Sequence, residues 1–392
     1  MAKDDAKYKI VIHQSIDSIP REEWNNMTND DVFPFLEWEW LYALEESGSI
    51  SPETGWHPLH FCLYRDDVLK AAAPLYLRTG NGGDYIYDYF WAEAAESIGC
   101  SWYPKLIGMG AATPAEGYRF INAPDMDPIT ASILLLREAE NISKSNDLPS
   151  VNILWSDPEW SKLLSSLDYT AWEHIHYVWE NPGYRDFKDY LDIFSKNQRK
   201  NIRKEYASHI DQGIEVRVIP GEEAKEEHYH KMFEFFTITN DKFIPWDARW
   251  VNEEFFLLLE KYGRKRTAFV EAKFDNEIIA MAFLVHKRDR LWGRFWGAYE
   301  DIKDLHFTVC YYAPMDYCIK NNIRYFDPGA GSSHKIRRGF KAMTNKSFHK
   351  FFDPRLEGLF KANIRSVNRH EKQRRDSLNE KSPIKQITNN KE

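Results

Sequence analysis

Two turn signals constrain this chain more than any other feature of its 392 residues. Arg65-Asp66-Asp67 separates strand-like runs at 58–64 and 68–77, and Asp275-Asn276 separates runs at 266–274 and 277–286. Short acidic and amide side chains suit tight reversals, so each signal predicts an antiparallel hairpin. The surroundings of the two hairpins are also alike. Ahead of the first stand a strand at 8–13 and helices near 21–27 and 36–46, the second stopped by Ser47-Gly48-Ser49. After it come a strand at 105–109, an amphipathic helix at 129–145 and a strand at 151–155. The second hairpin is preceded by a helix at 189–208, a strand at 214–219 and helices near 222–237 and 250–262. It is succeeded by a strand at 291–298, a helix at 305–321 and a strand at 323–327. One order of elements met twice predicts an α/β chain with mixed sheets in two tandem halves, duplicated in architecture without evident identity of sequence.

Glu180-Asn181-Pro182-Gly183 interrupts an alternating strand at 172–179 and marks the expected linker. The expected domains are therefore 1–182 and 183–365, with a polar tail at 366–392 expected to be a frayed helix or disordered. A net charge of −8 gives no general preference for nucleic acid or anionic membrane, leaving only local basic patches to such roles. Four cysteines without CxxC spacing read as free thiols. No secretory leader and no run long enough to cross a bilayer is evident, which predicts a cytoplasmic protein.

The first half carries the motifs Phe35-Leu36-Glu37-Trp38-Glu39-Trp40-Leu41, Thr54-Gly55-Trp56, Ala73-Pro74-Leu75-Tyr76-Leu77 and Trp102-Tyr103-Pro104-Lys105-Leu106. The second carries Gln198-Arg199-Lys200-Asn201-Ile202-Arg203-Lys204-Glu205, Gly293-Arg294-Phe295-Trp296-Gly297, Cys310-Tyr311-Tyr312 and His334-Lys335-Ile336-Arg337-Arg338-Gly339-Phe340. On these residues the chain resembles the bacterial peptidoglycan biosynthesis/recognition family of N-acyltransferases, within the GNAT superfamily and related to Fem-type peptidyltransferases. Thr308, Asp327 and Ser333 stand where the family pattern carries Glu. The resemblance implies two tandem GNAT-like acyltransferase domains. It further implies transfer of an acyl or aminoacyl group to an amine, from acyl-CoA, an acyl carrier protein or an aminoacyl-tRNA.

Such a transfer needs a held donor carbonyl, hydrogen-bond donors for the oxyanion, and a proton acceptor for the amine. The stretch from Asp327 to Lys335 offers a strand end, a glycine loop and a cation. By analogy with related transferases Lys335 steadies the tetrahedral intermediate or a substrate phosphate. His334 is the candidate base, because imidazole titrates near neutrality, whereas Asp327 needs a raised pKa for that task or else caps the loop. Arg337 and Arg338 are candidate phosphate ligands. His306, at a helix start, is a weaker candidate, more often structural than catalytic. Lys196, Arg199, Lys200, Arg203 and Lys204 recur at helical spacing, which stacks them on one face; the stripe either receives phosphates or is a solvated face answered by Glu205. Asp88, Lys105, Trp91 and Tyr103 mix aromatics with charge as a sugar or peptide cleft does, the bland alternative being an aromatic domain interface. The diphosphate-binding glycine turn of acyl-CoA enzymes is replaced by Gly297-Ala298-Tyr299-Glu300-Asp301, so acyl-CoA is not a secure donor. No Walker loop, HExxH, Gly-x-Ser-x-Gly elbow or metal-spaced cluster is found, and no metal is expected. The competing readings are a non-catalytic module that recognises a precursor or glycan, and an RNA-binding role for the basic stripe.

Overall fold

The computed structural model describes residues 8–29, 33–80, 84–242, 250–331 and 333–385. In chain order the first elements are β1 (Tyr8–His13), α1 (Arg21–Thr28), α2 (Trp38–Glu46), β2 (Trp56–Arg65), β3 (Val68–Arg78), α3 (Tyr89–Ser97), β4 (Lys105–Gly108), β5 (Ile121–Asn122), α4 (Pro128–Ser145), β6 (Ser150–Ile153), α5 (Ser161–Ser166) and β7 (Thr170–Glu180). Next in order are α6 (Phe187–Asp192), α7 (Lys196–Asp211), β8 (Glu215–Pro220), α8 (Glu226–Asp241), α9 (Glu253–Tyr262), β9 (Thr267–Phe274), β10 (Glu277–Lys287) and β11 (Arg290–Ala298). The last are α10 (Leu305–Phe307), a π-helical turn (Thr308–Tyr312), α11 (Ala313–Lys320), β12 (Tyr325–Asp327), β13 (Lys341–Phe351) and α12 (Pro354–Glu380).

Both expected hairpins form. Asp66, Asp67, Asp275 and Asn276 have φ of 52°, 60°, 48° and 68°, the left-handed pair that matches the twist of the flanking strands. β3 and β10 are each eleven residues long and share one pattern of burial, exposed only at the first position and half-buried at the third and tenth. Near-continuous burial belongs to a strand covered on both faces, which is why both read as unbroken apolar runs.

The mixed α/β fold repeats one strand order. In the first unit β1 pairs β2, β2 pairs β3 and β3 pairs β4, all antiparallel, and β4 then pairs β6 in parallel. In the second, β8, β9, β10 and β11 pair successively antiparallel, and β11 pairs β12 in parallel. Neither unit is one unbroken stretch such as 1–182 or 183–365: the first comprises 1–174, 250–258 and 345–371, and the second 175–249, 259–344 and 372–392. The reason is an exchange of strands. Phe348–Phe351 of β13 pair with β6 in the first unit, while Trp179 and Glu180 of β7 pair with β12 in the second. Asn181, in the expected linker, donates its Nδ2 to the Ile323 carbonyl and accepts from Gly183 and Tyr184 amides, so this segment is tied to the second unit.

The helix expected at 189–208 is two, because Ser195 restarts it as the N-cap of α7. Residues 366–380 continue α12 rather than fray. Leu356, Phe360 and Ile364 bury its start at helical spacing, and asparagines anchor its later turns. Asn368 accepts from Glu173 N and donates to Ala171 O, and Asn379 does the same for both backbone groups of Ala342. Each amide thus acts as a strand neighbour would. Residues 386–392 of the expected tail lie outside the described residues. Among the described residues no helix is long and apolar enough to cross a membrane.

Candidate functional site

β12 pairs with β11 only over Arg290–Trp292, yet β11 runs on to Ala298. β12 ends at Asp327, so from Gly293 onward this edge of β11 has no β12 partner, and two glycines let the loop after β12 lie against it. A Cβ on Gly329, whose φ is +80°, would stand 2.8 Å from the Gly293 carbonyl oxygen, and one on Gly293 would meet the Pro328 backbone at 3.4 Å. Residue 294 is an extra residue on β11 opposite β10, where Phe283 faces Phe295 and Leu284 faces Gly293. Gly297 lets α8 lie directly on this strand, since a Cβ there would fall 2.0 Å from the Phe235 carbonyl oxygen.

Asp327 closes β12, and its Oδ1 accepts from Gly329 N at 2.8 Å, folding the loop back on the strand end. Burial pushes its carboxyl pKa up, against the pull of His176, the Gly329 amide, Lys335 and Arg294. Lys335 is 2% exposed and points inward. Its Nζ donates to Gly329 O at 2.7 Å and Ala330 O at 2.9 Å, and lies 5.4 Å from the Tyr177 ring centre. Burial brings its pKa down to about 8, with Asp327 and Cys310 opposing.

His334 is half-buried, its Nε2 3.0 Å from the Tyr311 hydroxyl. Desolvation, then the charges of Arg338 and Lys335, lower its pKa to about 4, so the imidazole is neutral at physiological pH. His306 lies 6.0 Å away between ring centres, is also lowered to about 4, chiefly by burial, and packs edge-on against Trp296 at 4.9 Å.

Arg338 is not free for a phosphate. It is 5% exposed, its guanidinium lies 3.3 Å over the Phe307 ring, its Nη2 is 2.9 Å from Glu205 Oε2, and its Nη1 donates to His334 O at 3.1 Å. Arg337 is exposed, and its carbonyl accepts from Gln198 Nε2 at 2.7 Å. On α7, Arg199 pairs with Asp192 at 2.5 Å. Lys196, Lys200, Arg203 and Lys204 are exposed and form no ion pair among the described residues. Glu205, expected to answer that stripe, instead turns to Arg338 and the Tyr312 hydroxyl. The second unit thus brings together Asp327, His334, Lys335, Arg338 and His306, with Glu205, Phe307, Tyr311 and Tyr312 as partners that the residue pattern does not single out. A signal for three of them is present in the motifs, Glu205 at the end of the Gln198–Glu205 run and the two tyrosines in Cys310-Tyr311-Tyr312.

Asp88, Lys105, Trp91 and Tyr103 belong to the first unit. Asp88 and Lys105 have no exposed side-chain surface and pair with each other, and Asp88 also accepts from Trp102 Nε1 and Tyr103 Oη, both at 2.7 Å. Burial alone would raise the Asp88 pKa, but the Lys105 charge and the three donors hold it low. Trp91 is 2% exposed and packs against Trp102 and Phe360. The expectation that these groups face a ligand gives way to a closed pair: two charges taken out of water need each other. Asp84 beside them is pushed up to about 6 by burial and by Asp88. At the end of β4, Tyr118 lies against Gly108. A Cβ on Gly108 would stand 2.6 Å from its oxygen, and that hydroxyl donates to Pro74 O at 2.6 Å. Among the described residues no three His, Cys, Asp or Glu side chains are grouped to hold a metal ion.

The solved structure of FemX aligns with a TM-score of 0.54 at 11% identity, over 91% of this chain and all of that one. The C-terminal domain of a putative lysylphosphatidylglycerol synthetase from Agrobacterium fabrum aligns at 0.53 and 9% identity, over 88% of this chain and 96% of that domain. A tandem GNAT protein of the clavulanic acid biosynthesis pathway aligns at 0.46 and 9%, over 88% and 98%. The mixed α/β fold is accordingly shared with FemX and with the synthetase domain. No curated protein matches the sequence. The FemAB-like family, described as peptidoglycan biosynthesis/recognition, matches residues 15–386, and the chain belongs to it.

Proposed function

We propose that this chain is a cytoplasmic N-acyltransferase that moves an acyl or aminoacyl group from an activated donor to an amine of a cell-envelope precursor. The observation that carries the reading is the edge of β11 that runs on past the end of β12, beside the glycine loop held by Lys335 and the neutral His334–Tyr311 pair. An extended donor can lie along the unpaired side of β11, as a strand would, with its carbonyl beside the glycine loop. The amine attacks that carbonyl carbon and forms the new C–N bond. Negative charge gathering on the oxygen meets Lys335 and the loop amides. The amine proton passes to His334, directly or through Tyr311, and is returned to the departing sulfur or oxygen of the carrier as the C–S or C–O bond breaks. The family description supports an envelope precursor as acceptor, and the synthetase neighbour is by its name an aminoacylating enzyme. Glu300 and Asp301, exposed on the turn after β11, repel a diphosphate there. That repulsion favours an acyl carrier protein or aminoacyl-tRNA over acyl-CoA. The test is a panel of acyl thioesters and aminoacyl-tRNAs against amines that include cell-wall precursors. Transfer that Lys335→Ala lowers by about 100-fold or more supports the reading. Tight precursor binding without turnover, unchanged by Lys335→Ala and His334→Ala, would replace it with a recognition module.

A further inference from the structure

Phe307 and the π-helical turn after it make three contacts, two to the segment that carries His334 and Arg338 and one to α7. Phe307 lies under the Arg338 guanidinium; Tyr311 meets His334; and Tyr312 donates to Glu205. A regular α-helix would turn residue 312 away from the face shared by 307 and 311, whereas a wider turn keeps both tyrosines toward the loop. Glu205 comes from a different element, α7, and gathers Tyr312 and Arg338 on one carboxylate oxygen. Arg338 in turn holds the His334 carbonyl through Nη1. Gln198, two turns earlier on α7, holds the neighbouring Arg337 carbonyl. The backbone carrying His334 is therefore gripped from α7 at one end, and its ring is met from the π turn at the other.

We propose that Glu205 and Arg338 are positioning residues that hold the His334 imidazole against Tyr311 and set how readily it takes a proton. Among the described residues, the charged and titratable groups facing His334 include His306 from α10, Tyr311 from the π turn, and Lys335 and Arg338 from its own turn, with Glu205 reaching it from α7 through Arg338. Arg338 raises the positive potential at the ring, and Glu205 tempers it. Removing one or the other must then act in opposite directions, which loss of packing alone would not do. This inference rests on His334 as the proton acceptor, but its test needs no substrate.

The experiment is an NMR titration of the imidazole ring nitrogens in the full chain, comparing wild type with Glu205→Gln and Arg338→Met. Wild-type His334 is expected to titrate near pH 4. Arg338→Met should move that titration up by about one unit, and Glu205→Gln should move it down. Arg338→Lys keeps the charge while losing the fork, so its titration should stay closer to wild type than that of Arg338→Met; this variant serves if the methionine protein does not fold. Opposite shifts support the assignment. A His334 that titrates at the ordinary imidazole value, or variants that leave it unmoved or move it together, overturns it. Opposite shifts in a chain that transfers nothing would leave the positioning intact and remove only the transferase reading.

Discussion

Both units set a glycine on a strand that has a parallel partner, and the two glycines meet different neighbours. At Gly108 the first unit lays the Tyr118 side chain, buries it fully and ties its hydroxyl to Pro74 O. At Gly293 the second lays only backbone, the Pro328-Gly329 loop, and leaves the side chains along β11 from Arg294 to Trp296 half-buried. The charges divide in the same way. In the first unit Asp88 and Lys105 neutralise one another inside the protein, with aromatic N–H and O–H groups completing the shell. In the second, Asp327 and Lys335 are each turned onto the loop backbone, so the cation organises carbonyls instead of quenching a carboxylate. The contrast separates a charge pair closed on itself from charges that organise the loop on which the proposed reaction depends.

The largest effect is expected at the closed pair. Lys105→Met leaves Asp88 buried without its counter-charge and should cost about 3–5 kcal/mol, read by chemical denaturation. Lys335→Met loses two hydrogen bonds to loop carbonyls and should cost about 1–3 kcal/mol while removing any transfer activity. If Lys335→Met proves the more damaging to stability, the division of roles is wrong.

Next come the polar anchors of α12. Asn368→Ala and Asn379→Ala each strip two bonds from strand backbone and should destabilise by about 1–3 kcal/mol. Thermal melts of the two variants measure this. No measurable change would mean that the apolar contacts near Phe360 suffice.

The pH dependence sharpens the contrast further. In the first unit His349 donates from Nδ1 to Asn152 Oδ1, since that amide's Nδ2 is used on Leu106 O and Ser150 Oγ. Its bare Nε2 then accepts from Ser347, whose oxygen accepts from His174 Nε2. Both rings must be neutral, and burial lowers His174 to about 3 and His349 well below its usual value. The unfolded chain binds protons there below about pH 6.5 and the folded one does not, so stability should fall as pH drops through that range. Ser347→Ala should flatten this slope, as measured by denaturation at pH 7 and pH 5. In the second unit the ammonium of Lys335, brought down to about 8, should be lost on the alkaline side. Transfer is expected to decline above about pH 8, and Lys335→Arg should push that decline upward. The smallest effect is at Arg337, whose exposed side chain should be replaceable by Ala within about 0.5 kcal/mol of wild-type stability.

Much of the scaffold is legible in the chain because its signals are local. Asp66-Asp67 and Asp275-Asn276 carry their turn geometry within two residues, and β3 and β10 announce burial by unbroken apolar runs. β13 is hidden because Asn345, Ser347 and His349 occupy its buried positions, erasing the apolar alternation. The later part of α12 reads as a polar tail for a related reason: its anchors are asparagines. The exchange of β7 and β13 depends on which strands meet in three dimensions, and nothing local encodes it. In the candidate site, glycine and lysine flag the loop after Asp327. Arg338 reads as a phosphate ligand because charge alone says nothing of the Phe307 ring beneath it or the Glu205 carboxylate beside it.

The most direct test is a crystal structure with a non-transferable donor analogue, an aminoacyl or acyl-pantetheine amide, soaked at increasing concentration. The expected outcome is an extended analogue along the unpaired side of β11, its carbonyl oxygen within hydrogen-bond reach of the Gly329–Lys335 loop and its carbonyl carbon near the His334–Tyr311 pair. An analogue seated in the first unit beside Tyr118, with the loop after β12 untouched, would contradict it.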